Sequence, residues 1–118
     1  MTDSKIYNVR GAEVTITANL YPGIIDLHIT VDTSALDKDE PDHSPHNLLE
    51  YLELPWYSTR SSYWWCRVYR QVQVRTGAQA SRVIRNALAK IDDAVADALI
   101  ARAARKSQMQ YVFDNERN

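Results

Sequence analysis

Three histidines, one cysteine and fifteen carboxylates carry the catalytic and metal-binding potential of this 118-residue chain. His28, His43 and His46 all lie among acids, and His43 and His46 form a His-x-x-His pair close to Asp39, Glu40 and Asp42. Imidazole and carboxylate together suit a zinc-like ion. Convergence on one ion needs a helix or a tight turn, however, and Pro41 and Pro45 flank the pair with no cysteine to join it. The spacing therefore predicts histidines of an acidic surface loop and no metal site. Cys66 has Arg67 beside it, which lowers a thiol pKa only when both side chains point the same way. No histidine follows Cys66 to act as base, so a buried structural thiol is expected. General acid–base work needs two carboxylates in one cleft, whereas the acids here crowd into one loop or scatter along a helical segment. With three glycines in all, the chain holds neither a phosphate-cradling loop nor a dinucleotide fingerprint. The expectation is a protein without catalytic residues or cofactor.

The denser signal is aromatic and basic. Trp56, Tyr57, Tyr63, Trp64, Trp65 and Tyr69 interleave with Arg60, Arg67, Arg70 and Arg75, and Arg82 and Arg85 follow. Aromatic rings anchor interfaces or stack on bases, and arginine suits carboxylate and phosphate. The same tryptophans can equally fill a core, and Trp64 is assigned there. Charge is distributed unevenly. Residues 1–57 carry ten acids and three bases, and residues 58–118 carry eleven bases and five acids. No acid occurs between Leu54 and Ile91. Such asymmetry points to an anionic partner, or to an acidic half folded against a basic half; both readings stay open on sequence.

These residues must be positioned by a small number of elements. Glu13–Asn19 alternates Val14, Ile16 and Ala18 with polar residues, and Ile24–Val31 alternates Ile25, Leu27, Ile29 and Val31. Period two with β-branched residues, broken by Tyr21-Pro22-Gly23, predicts an antiparallel hairpin with a connection longer than two residues. Residues 32–44 read as an acidic loop. Ser44-Pro45 resembles a helix start, Leu48, Leu49 and Leu52 give a short apolar edge, and Pro55 ends it. Residues 59–76 fit both periods. Strand propensity opposes length and boundary signals, since Ser58 or Thr59 can cap a helix and Gly77 can close one; helix is taken. From Gln79 to Arg105, Val83, Ile84, Ala87, Leu88, Ile91, Ala94, Val95, Ala98 and Leu99 recur at three- and four-residue steps, a long amphipathic helix. Tyr111, Val112 and Phe113 then suggest a docking strand.

Within this region, Thr76 to Leu88 (Thr-Gly-Ala-Gln-Ala-Ser-Arg-Val-Ile-Arg-Asn-Ala-Leu) resembles the turn and second helix of ribbon-helix-helix DNA-binding proteins. The resemblance covers about a tenth of the chain and implies a helix before Gly77. It departs where that family's DNA-reading strand should stand, which here holds Glu50, Glu53 and Pro55. Only a helix–turn–helix hairpin is taken from it.

Length and an apolar share of 45% fit one domain with its own core. A single cysteine excludes an intrachain disulfide, no secretory signal pattern or 20-residue apolar run is evident, and a cytoplasmic protein is expected. The predicted fold is α+β: an N-terminal antiparallel β-hairpin packed against a C-terminal helical part with one long amphipathic helix. The predicted function is that of a non-enzymatic accessory or regulatory protein, of the type phages and mobile elements use to inhibit a host protein. Its partner-binding residues would be Trp56, Tyr57, Arg60, Arg67, Arg70, Arg75, Arg82 and Arg85. The alternative is nucleic-acid binding by the acid-free segment 54–91, which requires Arg67, Arg70, Arg75, Arg82 and Arg85 on one surface. A homodimer through the long helix would use Ala94, Ala98 and Leu99.

Overall fold

A computed structural model describes residues 1–37, 49–53, 55–58 and 67–116. The chain opens with a three-stranded antiparallel meander: β1 (Thr2–Val9), β2 (Ala12–Tyr21) and β3 (Ile24–Asp32). The predicted hairpin is β2–β3, and its connection is the two-residue turn Pro22-Gly23, shorter than expected. Pro22 presets φ and Gly23 supplies the positive φ of 74° that the turn needs. Strand β1 was not expected from the sequence, because its polar residues are those of an exposed edge strand. It is joined to β2 by Arg10-Gly11, where both residues have positive φ (52° and 89°), the pattern of a tight hairpin turn matched to sheet twist.

After β3 come the single helical turns α1 (Ser34–Asp37) and α2 (Leu49–Leu52), then β4 (Tyr57–Ser58), β5 (Arg67–Val74) and α3 (Gly77–Glu116). The sheet order is β1-β2-β3-β5-β4, all neighbours antiparallel. α+β is therefore the fold class. The helix expected over residues 59–76 is, in its described part, strand β5. The β-branched and aromatic alternation of Val68-Tyr69-Arg70-Gln71-Val72 prevails, and the strand is only eight residues long, so the objection from length falls away.

Gly77 is correspondingly the first residue of α3, not the end of an earlier helix. Thr76 and Gln79 form a reciprocal cap: the Gln79 amide donates to Thr76 Oγ1 at 3.2 Å, and Gln79 Oε1 accepts from the Arg75 and Thr76 amides at 2.9 and 3.2 Å. α3 runs on as helix through Tyr111, Val112 and Phe113, where a docking strand was expected.

Cross-strand register sorts the sheet into two faces. Val14, Val31 and Val68 share one row, and Ile16, Ile29 and Arg70 the next. Onto this face α3 lays Ala87, Ile91, Ala94, Val95 and Ala98. The core excludes water from the side chains at period 2 on the sheet and period 3.6 on the helix, the match that makes each element amphipathic. Leu52 and Trp56 complete it. Ala94 and Ala98 are thus consumed intramolecularly and Leu99 is packed against them, which leaves no self-association surface of the expected composition.

Candidate interaction surface

The predicted site residues do not gather in one place. Trp56 is 3% exposed and belongs to the core, in the same cluster as Leu52 and Val68. Tyr57 is 50% exposed and leans on Tyr69 on the open face of the sheet, with ring centroids 5.7 Å apart and planes tilted by 37°. Arg67 is on the same face and is tied to Asp32 at 3.3 Å. Arg70 points to the opposite, helix-covered face, half-buried, and its Nε is sequestered with no hydrogen-bond partner among the described residues. Arg60 lies outside the described residues, as do Trp64, Trp65, Cys66, His43, His46 and the Ser44-Pro45 helix start.

Arg75, Arg82 and Arg85 lie at and just after the junction of β5 with α3. Arg75 follows the last paired residue of β5, and Arg82 and Arg85 are three apart, on one stripe of α3. All three are exposed, and none forms an ion pair among the described residues. The eight residue steps from Arg67 to Arg75 span roughly 26 Å at strand rise. The five described arginines of the acid-free segment are therefore spread over two ends of β5, both faces of the sheet and α3, not one surface.

The basic end coincides with an apolar tip that sequence reasoning missed. Val74 pairs with Ile25, so Arg75 continues β5 beside Ile24 and the β2–β3 turn. Leu20, Tyr21 and Ile24 are exposed there, Tyr21 to 58%. The legible signal was that Pro22-Gly23 is bracketed by large apolar residues, where a solvent-facing turn normally carries polar ones. The first turn of α3 contains no acid, so its partial positive charge adds to that of the three guanidinium groups. The tip is thus apolar on both faces of the sheet, with Leu20 on the helix-covered face and the paired Tyr21 and Ile24 on the open one.

A separate polar cluster sits on the open face. Asp26 is buried and accepts from Gln71 Nε2 at 3.0 and 3.2 Å, while His28 Nε2 lies 3.1 Å from its Oδ2. Thr17 is opposite His28 in register, but its hydroxyl shares a 2.9 Å hydrogen bond with Ser4. Among the described residues no hydroxyl is hydrogen-bonded to the imidazole, so the pair lacks the nucleophile–base contact of a hydrolytic site. At the end opposite the tip, Asp32 is pushed up by burial. The Ser34 hydroxyl and amide and the Arg67 guanidinium outweigh this and hold its carboxyl below the usual value.

The geometry defines an α+β sheet-and-helix protein with an apolar tip at the end of the sheet where α3 begins. No helix among the described residues is long and apolar enough to cross a membrane. The chain matches no protein-family model, no curated protein and no solved structure.

Proposed function

We propose that the chain is a small non-enzymatic binding protein that docks a partner protein on its tip, through Leu20, Tyr21 and Ile24 with Arg75, Arg82 and Arg85. The observation that supports this reading is that Leu20, Tyr21 and Ile24 are exposed at the end of the sheet where Arg75 leaves β5 and α3 begins, and that Arg75, Arg82 and Arg85 are exposed with no ion pair among the described residues. Interface centres are enriched in aromatic side chains and arginine, and charge at the rim sets partner choice and encounter rate. The complementary partner presents an apolar patch bordered by carboxylates. Trp56, held in the core, and Arg67, paired with Asp32, are not part of this surface.

The test is quantitative affinity capture on the full chain in three forms: native, Tyr21→Ser/Ile24→Ser, and Arg75→Glu/Arg82→Glu/Arg85→Glu. Tyr57→Ser serves as a control on the open face. Loss of one protein by both tip variants and its retention by Tyr57→Ser is the expected result. A parallel titration uses labelled single- and double-stranded nucleic acid at low and high salt. Salt-sensitive binding that the arginine variant abolishes and the Tyr21/Ile24 variant keeps would transfer the surface to nucleic acid. Captured proteins identical across all forms would remove the tip from consideration.

A further inference from the structure

The sheet edge formed by β1 is a second surface, independent of the tip. β1 is the outermost strand, eight residues long, and among the described residues it pairs with β2 alone. One contact fixes the direction of its backbone groups. The Leu20 amide donates to the Met1 carbonyl at 2.8 Å, so Met1 and Leu20 form a hydrogen-bonded pair. Antiparallel ladders alternate hydrogen-bonded with non-hydrogen-bonded pairs. Asp3, Lys5, Tyr7 and Val9 therefore direct their N–H and C=O groups to β2, while Thr2, Ser4, Ile6 and Asn8 turn theirs outward. The Ser4 amide agrees, because its acceptor is Asp3 Oδ1, at 3.0 Å, and not a carbonyl of β2. An outward row of donors and acceptors is a template for a further strand.

Cover and charge select that strand. Every residue from Met1 to Ile6 is exposed, whereas Tyr7 and Val9 are packed against the core. The open half of the edge is centred near Ser4. Asp3 and Lys5 are two apart, so both point to the helix-covered side of the sheet. A second copy laid antiparallel about Ser4 sets Ser4 against its Ser4 and Thr2 against its Ile6, pairs whose outward groups exchange both N–H···O bonds. Asp3 then stands opposite Lys5 of the second copy, and Lys5 opposite its Asp3, in the non-hydrogen-bonded pairs where side chains come closest. The Tyr7 ring, with its centroid 5.1 Å from Lys5 Nζ, holds the ammonium on that side. Neighbouring registers also match the outward groups. Centring on Lys5 opposes two ammonium groups, however, and centring on Ile6 puts Lys5 opposite Tyr7 and Asp3 opposite Val9, with no charge pair. An edge that carries one acid and one base is complementary to itself reversed, and to no strand of a single charge sign. The contact is isologous.

We infer that β1 pairs antiparallel about Ser4 with β1 of a second copy of this chain, Asp3 of each against Lys5 of the other, so that two sheets become one. On pairing, the Ser4 amide exchanges Asp3 Oδ1 for the Ser4 carbonyl of the second copy, which releases the carboxylate to Lys5. Sedimentation velocity on the full chain across a range of concentrations is the test, and a reversible dimer is expected. Ser4→Pro removes an outward N–H that β2 does not use, and should leave a monomer with its circular dichroism and melting curve retained. Lys5→Asp should weaken the dimer roughly tenfold, as two exposed cross-strand pairs turn repulsive. Adding Asp3→Lys to that chain should restore the native affinity. Lys5→Thr, which keeps strand propensity, should weaken the dimer by less than Lys5→Asp. A monomer at every concentration overturns the inference. So does a dimer that survives Ser4→Pro, a reversal that the swap fails to rescue, or a Lys5→Thr chain that associates more tightly, the mark of Lys5 facing Lys5. Should Ser4→Pro unfold the chain, the reversal and its rescue decide alone.

Discussion

Asp32 is where one side chain ties three parts of the chain together. One oxygen caps the turn into α1 by accepting from the Ser34 amide and hydroxyl at 2.9 and 2.6 Å, and the other pairs with Arg67 at the start of β5. Its native carboxyl holds a proton less tightly than the ordinary 3.8 of the unfolded chain. The stabilisation is therefore complete above the unfolded value and is lost as pH falls through the lower native one. Asp32→Asn should lower the melting temperature at neutral pH by a few degrees and flatten its fall below about pH 4. An acid limb as steep in the variant as in the native chain would show that other carboxylates set it. At this scale the sequence was a poor guide to function. It could name Arg67 and Arg82 as exposed-type residues, but not that Asp32 occupies the first and that no described acid reaches the second. Trp56 illustrates the same limit, because an aromatic ring suited to an interface is equally suited to a core.

Elements were easier to read where hydrophobic periodicity is clean. Val14, Ile16 and Ala18 against Leu27, Ile29 and Val31 announce the β2–β3 hairpin, and the three- and four-residue spacing from Val83 to Leu99 announces α3. β1 escaped because an edge strand wetted on most sides keeps no alternation to detect. β5 escaped because Gly77 was taken for a helix terminator, when Thr76-x-x-Gln79 is a start signal four residues long. The turns supply the sharper test of element geometry. Gly11 and Gly23 both need positive φ, but a Cβ on Gly11 would also lie 2.7 Å from Leu36 Cδ2, whereas one on Gly23 meets nothing within 4 Å. Gly23→Ala should cost about 1 kcal/mol from backbone strain alone. Gly11→Ala should cost about 2 kcal/mol or more, since Leu36 must move as well. Urea denaturation of both variants checks the ranking, and equal costs would mean that Leu36 yields freely.

The whole molecule divides into a packed body and a shaft. Every buried residue among those described lies at or before Arg102, so the core owes nothing to the helix beyond it. A chain ending at Ala103 should keep the melting temperature of the full one to within a few degrees and the same urea slope. A large drop in stability on truncation would mean that the shaft supports the body after all.

The attachment of that shaft has a mechanical side. Residues 103–116 form an arm of about 21 Å whose fulcrum is the Arg102–Leu36 hydrogen bond. A tilt of about 10° there carries the outer end sideways by roughly 3.5 Å, close to the radius of a side chain. Small adjustments where α1 meets α3 are thereby magnified at Phe113, and the packing of Ala94, Val95 and Ala98 together with the Arg102 anchor sets the aim of the arm.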